Sequence, residues 1–238
     1  MEPRIAQIRQ AERLYHEQCY DQYKLFESGS WLHRPVKTVM DTLARFEGAE
    51  GLQVLDLGCG VGRNSIPIAQ AVQARGGRVV CVDLLQAALD KLQAYSEPLG
   101  VSACIEPRLS DIGTFGIAER EYDFIVAVSS LEHVESERVL GEVLHRMADG
   151  TRDGGINCLI MGTQIREVDV ASDASRDPMI EVNLPTERAE QALAEAFAGW
   201  EVLLHTVRPL QFDIEREGRD VSLSCDCLTY VVRRSAET

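Results

Sequence analysis

The chain has 238 residues, enough for one α/β domain with a full core, and 45% of them are hydrophobic, which argues against disorder. A formal net charge of −14 with a pI near 4.8 disfavours a nucleic-acid partner, because a phosphate backbone would be repelled. The apolar runs are short and broken by charges, and Met1–Gln10 lacks the apolar centre of a secretory signal, so a soluble cytoplasmic protein without a membrane partner is expected.

The seven cysteines are Cys19, Cys59, Cys81, Cys104, Cys158, Cys225 and Cys227. An odd number, with several inside apolar strand-like runs, reads as reduced thiols rather than a disulfide framework. Cys225 and Cys227 would share one face of a strand, but no second Cys or His pair stands at ligand spacing, and no metal is expected.

In chain order, Tyr15, Tyr20, Tyr23, Phe26 and Trp31, followed by His33-Arg34-Pro35, form an aromatic-rich segment ahead of the first strand. Such a segment either packs a helix on the sheet or folds over a site as a lid, with Arg34 able to pair with a carboxylate. Val36, Val39, Met40, Leu43 and Ala44 follow helical spacing. Strands are expected at Leu52–Leu57, Arg78–Val82, Ala103–Pro107, Tyr122–Val128, Ile156–Met161, Glu201–Val207 and Leu223–Arg233. Helical stripes fall at Val139–Met147 and Ala189–Phe197, with Pro185 in the first turn of the latter. Asp123–Val128 is apolar on both faces, as a strand covered on both sides must be. Alternation of this kind predicts a three-layer, doubly wound, mostly parallel α/β sheet of seven strands. No helical stripe separates the last two strands, and the charged turn at 215–220 predicts an antiparallel C-terminal hairpin. The whole chain is taken as one domain: 1–50 a helical cap, 51–162 a cofactor-binding core, and 163–238 a substrate-side segment with the hairpin. Within the last part, the polar stretch Gln164–Asn183 is expected to cover the site.

The strongest chemical signal is the run Asp56-Leu57-Gly58-Cys59-Gly60-Val61-Gly62-Arg63-Asn64. Glycines at a strand tip allow a tight turn and a ligand's close approach to bare backbone, where open α/β sheets bind ligands. The nicotinamide fingerprint requires a third glycine where Arg63 stands, and the phosphate-loop Lys-Ser/Thr pair is missing. Asp83 closes the second strand, 27 positions after Asp56, where a carboxylate can accept from both hydroxyls of a ribose. Asp111, beside Ile112, follows the third strand and is suited to an adenine amino group. The fourth strand ends in Val128-Ser129-Ser130-Leu131-Glu132-His133. His133 is the best-placed titratable group for general-base work.

These motifs resemble the class I S-adenosylmethionine-dependent methyltransferases from about Gln53 to Met161, with the hairpin matching the family's reversed last strand. Gly62-Arg63-Asn64-Ser65 is similar to the tellurite-resistance subgroup, which acts on small soft nucleophiles. That subgroup's His-Arg pair near the final hairpin is replaced here by Leu210-Gln211-Phe212-Asp213. The resemblance implies S-adenosyl-L-methionine as cofactor, with Gly58, Cys59, Gly60 and Gly62 along its methionine part. It also implies Asp83 on the ribose, Leu84 under the adenine, Asp111 and Ile112 at the adenine edge, and Val128 and Ser129 below the methyl donor. Tyr20, Trp31, Arg34, Asp56 and Asn64 complete the expected set. The function expected is methyl transfer to a small molecule. The alternatives are a non-catalytic cofactor-binding module and a nicotinamide-dependent oxidoreductase. The acceptor and the oligomeric state stay open.

Overall fold

The computed structural model describes residues 3–216 and 218–235. One sheet in the order β3-β2-β1-β4-β5-β8-β7 runs through it. Its strands are β1 (Gln53–Leu57), β2 (Arg78–Asp83), β3 (Ile105–Leu109), β4 (Tyr122–Val128), β5 (Thr151–Asp169), β7 (Glu201–Arg216) and β8 (Arg219–Arg233). A two-residue strand, β6 (Ser175–Arg176), pairs with β5 off this path. Neighbours from β3 to β5 are parallel, whereas β8 is antiparallel to both β5 and β7.

Alternation along the strands divides the core. Val54, Val79, Phe124 and Val126 point to one face, which is covered by α2 (Lys37–Leu43), α3 (Ser65–Val72) and α4 (Gln86–Ser96). Leu55, Leu57, Ile125 and Ala127 point to the other, under α5 (Glu137–Gly150) and α6 (Thr186–Ala196). The expected three-layer α/β architecture is therefore present, with both faces of the central strands dry. In α5 the predicted stripe of Val139, Leu140, Val143, Leu144 and Met147 is buried throughout, and Ser136 caps the first turn by accepting from the Val139 N–H. Pro185 stands at the N-cap of α6 instead of in its first turn.

Two observations depart from the sequence expectations, and one gives bounds to the helical cap expected over 1–50. The third strand starts two residues late, because Ser102–Cys104 forms a single helical turn. Residues 3–22 form a 20-residue helix, α1, whose buried positions (Ile5, Ile8, Cys19 and Tyr20) are too scattered to make a stripe. The strands β5, β7 and β8, at 19, 16 and 15 residues, run far beyond their apolar cores into a long antiparallel arm. The predicted charged turn closes that arm, with Arg216 paired to Arg219 and Gly218 left-handed. All seven cysteines are unpaired. Among the described residues, no helix is long and apolar enough to cross a membrane.

Candidate active site

β1 delivers the chain into the glycine loop. Asp56, at the last inward position of the strand, is buried and accepts a hydrogen bond of 2.5 Å from Ser65 Oγ at the start of α3. Burial pushes its carboxyl up to about 6, against the pull of that hydrogen bond. The loop then crosses to β2, where the N–H groups of Gly58 and Cys59 both donate to the Val82 carbonyl (2.8 and 3.0 Å). Gly60 N–H donates to Asp83 Oδ2 at 2.8 Å, and Leu85 N–H to Asp83 Oδ1 at 2.9 Å. Burial raises the Asp83 carboxyl, and these backbone donors pull it back down.

Within the loop, glycine is required by space at two places. A Cβ on Gly58 would sit 2.3 Å from Ser130 Cβ, and one on Gly62 would sit 2.4 Å from Leu92 Cδ1. Gly62 thus lets the loop lie against α4, whereas Gly58 lets the tips of β1 and β4 approach.

The loop forms one wall of a cavity of about 1110 Å³. Tyr20, Trp31, Gly58, Cys59, Gly60, Asn64, Asp83, Leu84, Asp111, Ile112, Val128, Ser129 and His133 all line it, so four strand tips and the N-terminal segment meet at one space. Three expected residues do not reach it. Asp56 is engaged beneath the loop by Ser65, and Gly62 faces the helices. Arg34 is exposed in extended backbone after the turn Trp31–His33. The cation on that wall is Arg63, whose guanidinium stacks on the Trp31 ring at 4.9 Å and donates to the Trp31 carbonyl at 3.0 Å. Asn64 lines the cavity but spends its Oδ1 on the Val36 N–H.

Helix α1 lines one wall of the cavity and is tied down by charge. Arg9 pairs with Asp111 (2.8 Å) and Glu181 (3.6 Å), and Glu12 pairs with Arg216 at the end of the arm (3.1 Å). Arg9 takes Asp111 Oδ2 while the Gly113 N–H takes Oδ1, so both oxygens of that carboxylate already hold a partner. The segment 164–183 supplies Ile165, Glu167, Met179, Ile180 and Glu181 to the wall, as the sequence suggested for a covering stretch.

The expected base is differently placed. His133 Nδ1 lies 3.0 Å from Glu181 Oε2. Burial alone would lower its pKa, but the Glu181 hydrogen bond, with the Glu132 and Glu12 carboxylates, overrides this and pushes it up to about 9. A proton held in this way by Glu181 works against the general-base role expected for His133. His16 of α1, missed in the sequence because α1 carries no stripe, is pushed the other way by burial and stays neutral. It lies between the Tyr15, Tyr20 and Trp31 rings on the cavity wall.

Residues 54–155 match a family model described as a methyltransferase domain, a little under half of the chain. The ubiquinone biosynthesis O-methyltransferase of Rickettsia conorii is 28% identical over 42% of this chain, and the match spans about a third (32%) of that relative. Among solved structures, TehB from Haemophilus influenzae superposes with a TM-score of 0.64 at 22% identity, covering 93% of this chain and 66% of TehB. The N-methyltransferase NodS from Bradyrhizobium japonicum WM9, in complex with S-adenosyl-L-homocysteine, superposes at 0.51 with 16% identity over 83% of this chain and 86% of NodS. At those identities the structures speak to the fold alone, and it is the Rossmann-like methyltransferase fold. The residues of α1 and of the arm that line the cavity lie outside the matched segment.

Proposed function

We propose that this chain transfers the methyl group of S-adenosyl-L-methionine to a small-molecule nucleophile held under α1. The carrying observation is one cavity that joins the glycine loop and Asp83 to the space beyond the tip of β4. The residues fit the cofactor. Gly58 and Gly60 expose backbone, and the Asp83 oxygens, which accept from the Gly60 and Leu85 N–H groups, keep lone-pair capacity for ribose hydroxyls. A volume near 1110 Å³ lies just above the usual range for small-molecule sites, so a nucleoside leaves room for an acceptor.

In this reading Gly58, Cys59 and Gly60 bound the methionine part, with Tyr20, Trp31 and Asn64 around its carboxylate end. Leu84 and Ile112 sandwich the adenine, Asp111 accepts at its edge, and Val128 and Ser129 lie below the transferred methyl. When bound, the cofactor supplies an activated methyl with a neutral thioether as leaving group. The chain's task is to align the nucleophile and exclude water, for which α1 and the segment 164–183 supply walls of the cavity. The acidic surface disfavours nucleic-acid acceptors, and the unpaired cysteines suit a reducing cytoplasm.

The test is formation of S-adenosylhomocysteine from S-adenosylmethionine over a panel of small thiols, amines, phenols and carboxylates. Turnover with one class, lost in Asp83→Ala, supports the proposal. Tight cofactor binding without turnover on any class would make the chain a cofactor-binding module instead.

A further inference from the structure

We infer that the methyl acceptor carries an extended apolar body, laid along the cavity-side face of the arm formed by β7 and β8. This inference rests on the methyltransferase proposal above and adds the class of acceptor. The polar groups around the cavity carry both signs, with Arg9 and Arg216 beside Glu12 and Glu181, so charge alone selects no acceptor. The arm does select, because its two faces differ.

Along β7, Leu210, Phe212 and Ile214 alternate with Gln211 and Asp213. The ladder sets Leu210 opposite Cys225 and Phe212 opposite Leu223, so these four share one face. All four line the cavity, together with Ile214 and Cys227. The other face carries Gln211, Ser222, Ser224 and Asp226. There Gln211 Nε2 donates to Ser222 Oγ, and Gln164 Nε2 to Asp226 Oδ2, both at 2.9 Å. A ribbon patterned in this way has one side for water and one side to lie against something apolar. The chain itself leaves that side open. Among the described residues β7 pairs with β8 alone, and Leu210 and Phe212 stay 38% and 48% exposed. Helix α1 meets the arm at its end, where Glu12 pairs with Arg216 and the Arg216 guanidinium lies 5.8 Å from the Tyr15 ring centroid. Burial pushes the Cys225 thiol up to about 11 and raises that of Cys227, so both stay neutral and add polarisable surface to the patch.

The patch begins beside the expected methyl position. Ile160 of β5 pairs with Val128 of β4, and its carbonyl accepts from the Ser129 N–H at 2.7 Å. Two residues on, Gly162 pairs with Cys227. From Cys227 the apolar face runs through Cys225 to Leu223, roughly 13 Å at ~3.3 Å per residue. An acceptor with its nucleophile at the β4 tip and an apolar body of that reach covers Leu210 and Phe212 as it binds. A second copy of the chain fits the face less well, because each copy carries a net charge of −14 and the two repel.

The test uses the full chain saturated with S-adenosylhomocysteine and calorimetry at pH 7. The probes are butanol, hexanol and octanol, with the amines and carboxylates of the same lengths. Each methylene buried on the arm should tighten binding by about 2–4-fold, so in at least one set the longest member binds at least ~10-fold tighter than the shortest. Phe212→Ser and Leu210→Ser should each cut that ratio by at least ~3-fold. Val207→Ser, on the opposite face of β7 at the same 38% exposure as Leu210, should leave it unchanged. All three variants should keep the wild-type affinity for S-adenosylhomocysteine. No gain with length in any set overturns the inference, and so does a gain that Phe212→Ser and Leu210→Ser leave intact. A wild-type dimer in sedimentation velocity that Phe212→Ser dissolves also overturns it, because a second copy then covers the face. Failure of S-adenosylhomocysteine itself to bind would sink the methyltransferase proposal and this inference with it.

Discussion

Gly58→Ala is the substitution whose cost follows most directly from the geometry. Gly58 has φ +77°, a backbone region that costs an L-residue roughly 1–2 kcal/mol. The added Cβ would also fall 2.3 Å from Ser130 Cβ and 3.0 Å from Ser130 Oγ. Ser130 has little freedom to retreat, because it is buried and its hydroxyl donates to the Leu57 carbonyl at 2.7 Å. Overpacking of this kind adds about 1–3 kcal/mol. The total of roughly 2–5 kcal/mol corresponds to a fall in Tm of about 4–20 °C for a chain of this size. Gly76 has nearly the same φ (+73°) and nothing within 4 Å of an added Cβ, so Gly76→Ala should show the conformational part alone, about 1–2 kcal/mol. Differential scanning calorimetry of both variants, with a double-mutant cycle to Ser130→Gly, separates the parts. A coupling near zero between positions 58 and 130, or equal losses for Gly58→Ala and Gly76→Ala, would refute the claim that the β1 and β4 tips are in contact through this glycine.

Three further outcomes are expected. His133 titrates near 9 in the folded state and near 6.5 unfolded, so its pairing stabilises fully below pH ~6.5 and is lost as pH rises through about 9. Melting curves from pH 6.5 to 9.5 should therefore fall more steeply for wild type than for Glu181→Gln, and equal slopes would remove Glu181 as the cause. Asp56 has the same direction of shift on an acid: its folded value of about 6 exceeds the unfolded 3.8, so stability is lost as pH rises from 4 through 6. Asp56→Asn should flatten that limb of the Tm profile, and an unchanged limb would locate it in another group. Arg9→Gln strips one tie from α1 and leaves Asp111 and Glu181 without their guanidinium, a loss of about 1.5–3 kcal/mol for a charged hydrogen bond. Amide exchange in residues 3–22 should then quicken by at least ~10-fold while β1 and β4 stay protected, and uniform protection in the variant would show that α1 is held by packing instead.

The central sheet was legible because its signals are redundant. Both-face apolar runs such as Asp123–Val128, glycines at 58, 60 and 62, and an acid 27 residues on at Asp83 each specify the same topology. The stripes of α5 and α6 were legible for the same reason, since a helix packed on a sheet must bury one face. Helix α1 was legible only as part of a helical cap over 1–50 and not by its bounds, because it is fixed by ion pairs to Asp111, Glu181 and Arg216, partners 102 to 204 positions away that leave no local period. The arm was missed for a different reason: most of β7 faces water on an edge, so its outer half alternates exposed polar and apolar residues and carries no continuous apolar run. Of the candidate site, the part of the cavity wall formed by the glycine loop and strand tips could be read from the sequence. His16, Arg63, Glu132 and Glu181 could not, because their character comes from burial and from neighbours supplied by other elements.

The most direct test of the account is calorimetric titration of the full chain with S-adenosylhomocysteine, beside Asp83→Ala with its fold checked by circular dichroism. The account predicts one saturable site per chain in wild type and an affinity at least ~10-fold weaker in the variant, since two ribose hydroxyls lose a charged acceptor. No heat of binding to wild type, or equal affinity for Asp83→Ala, would contradict it.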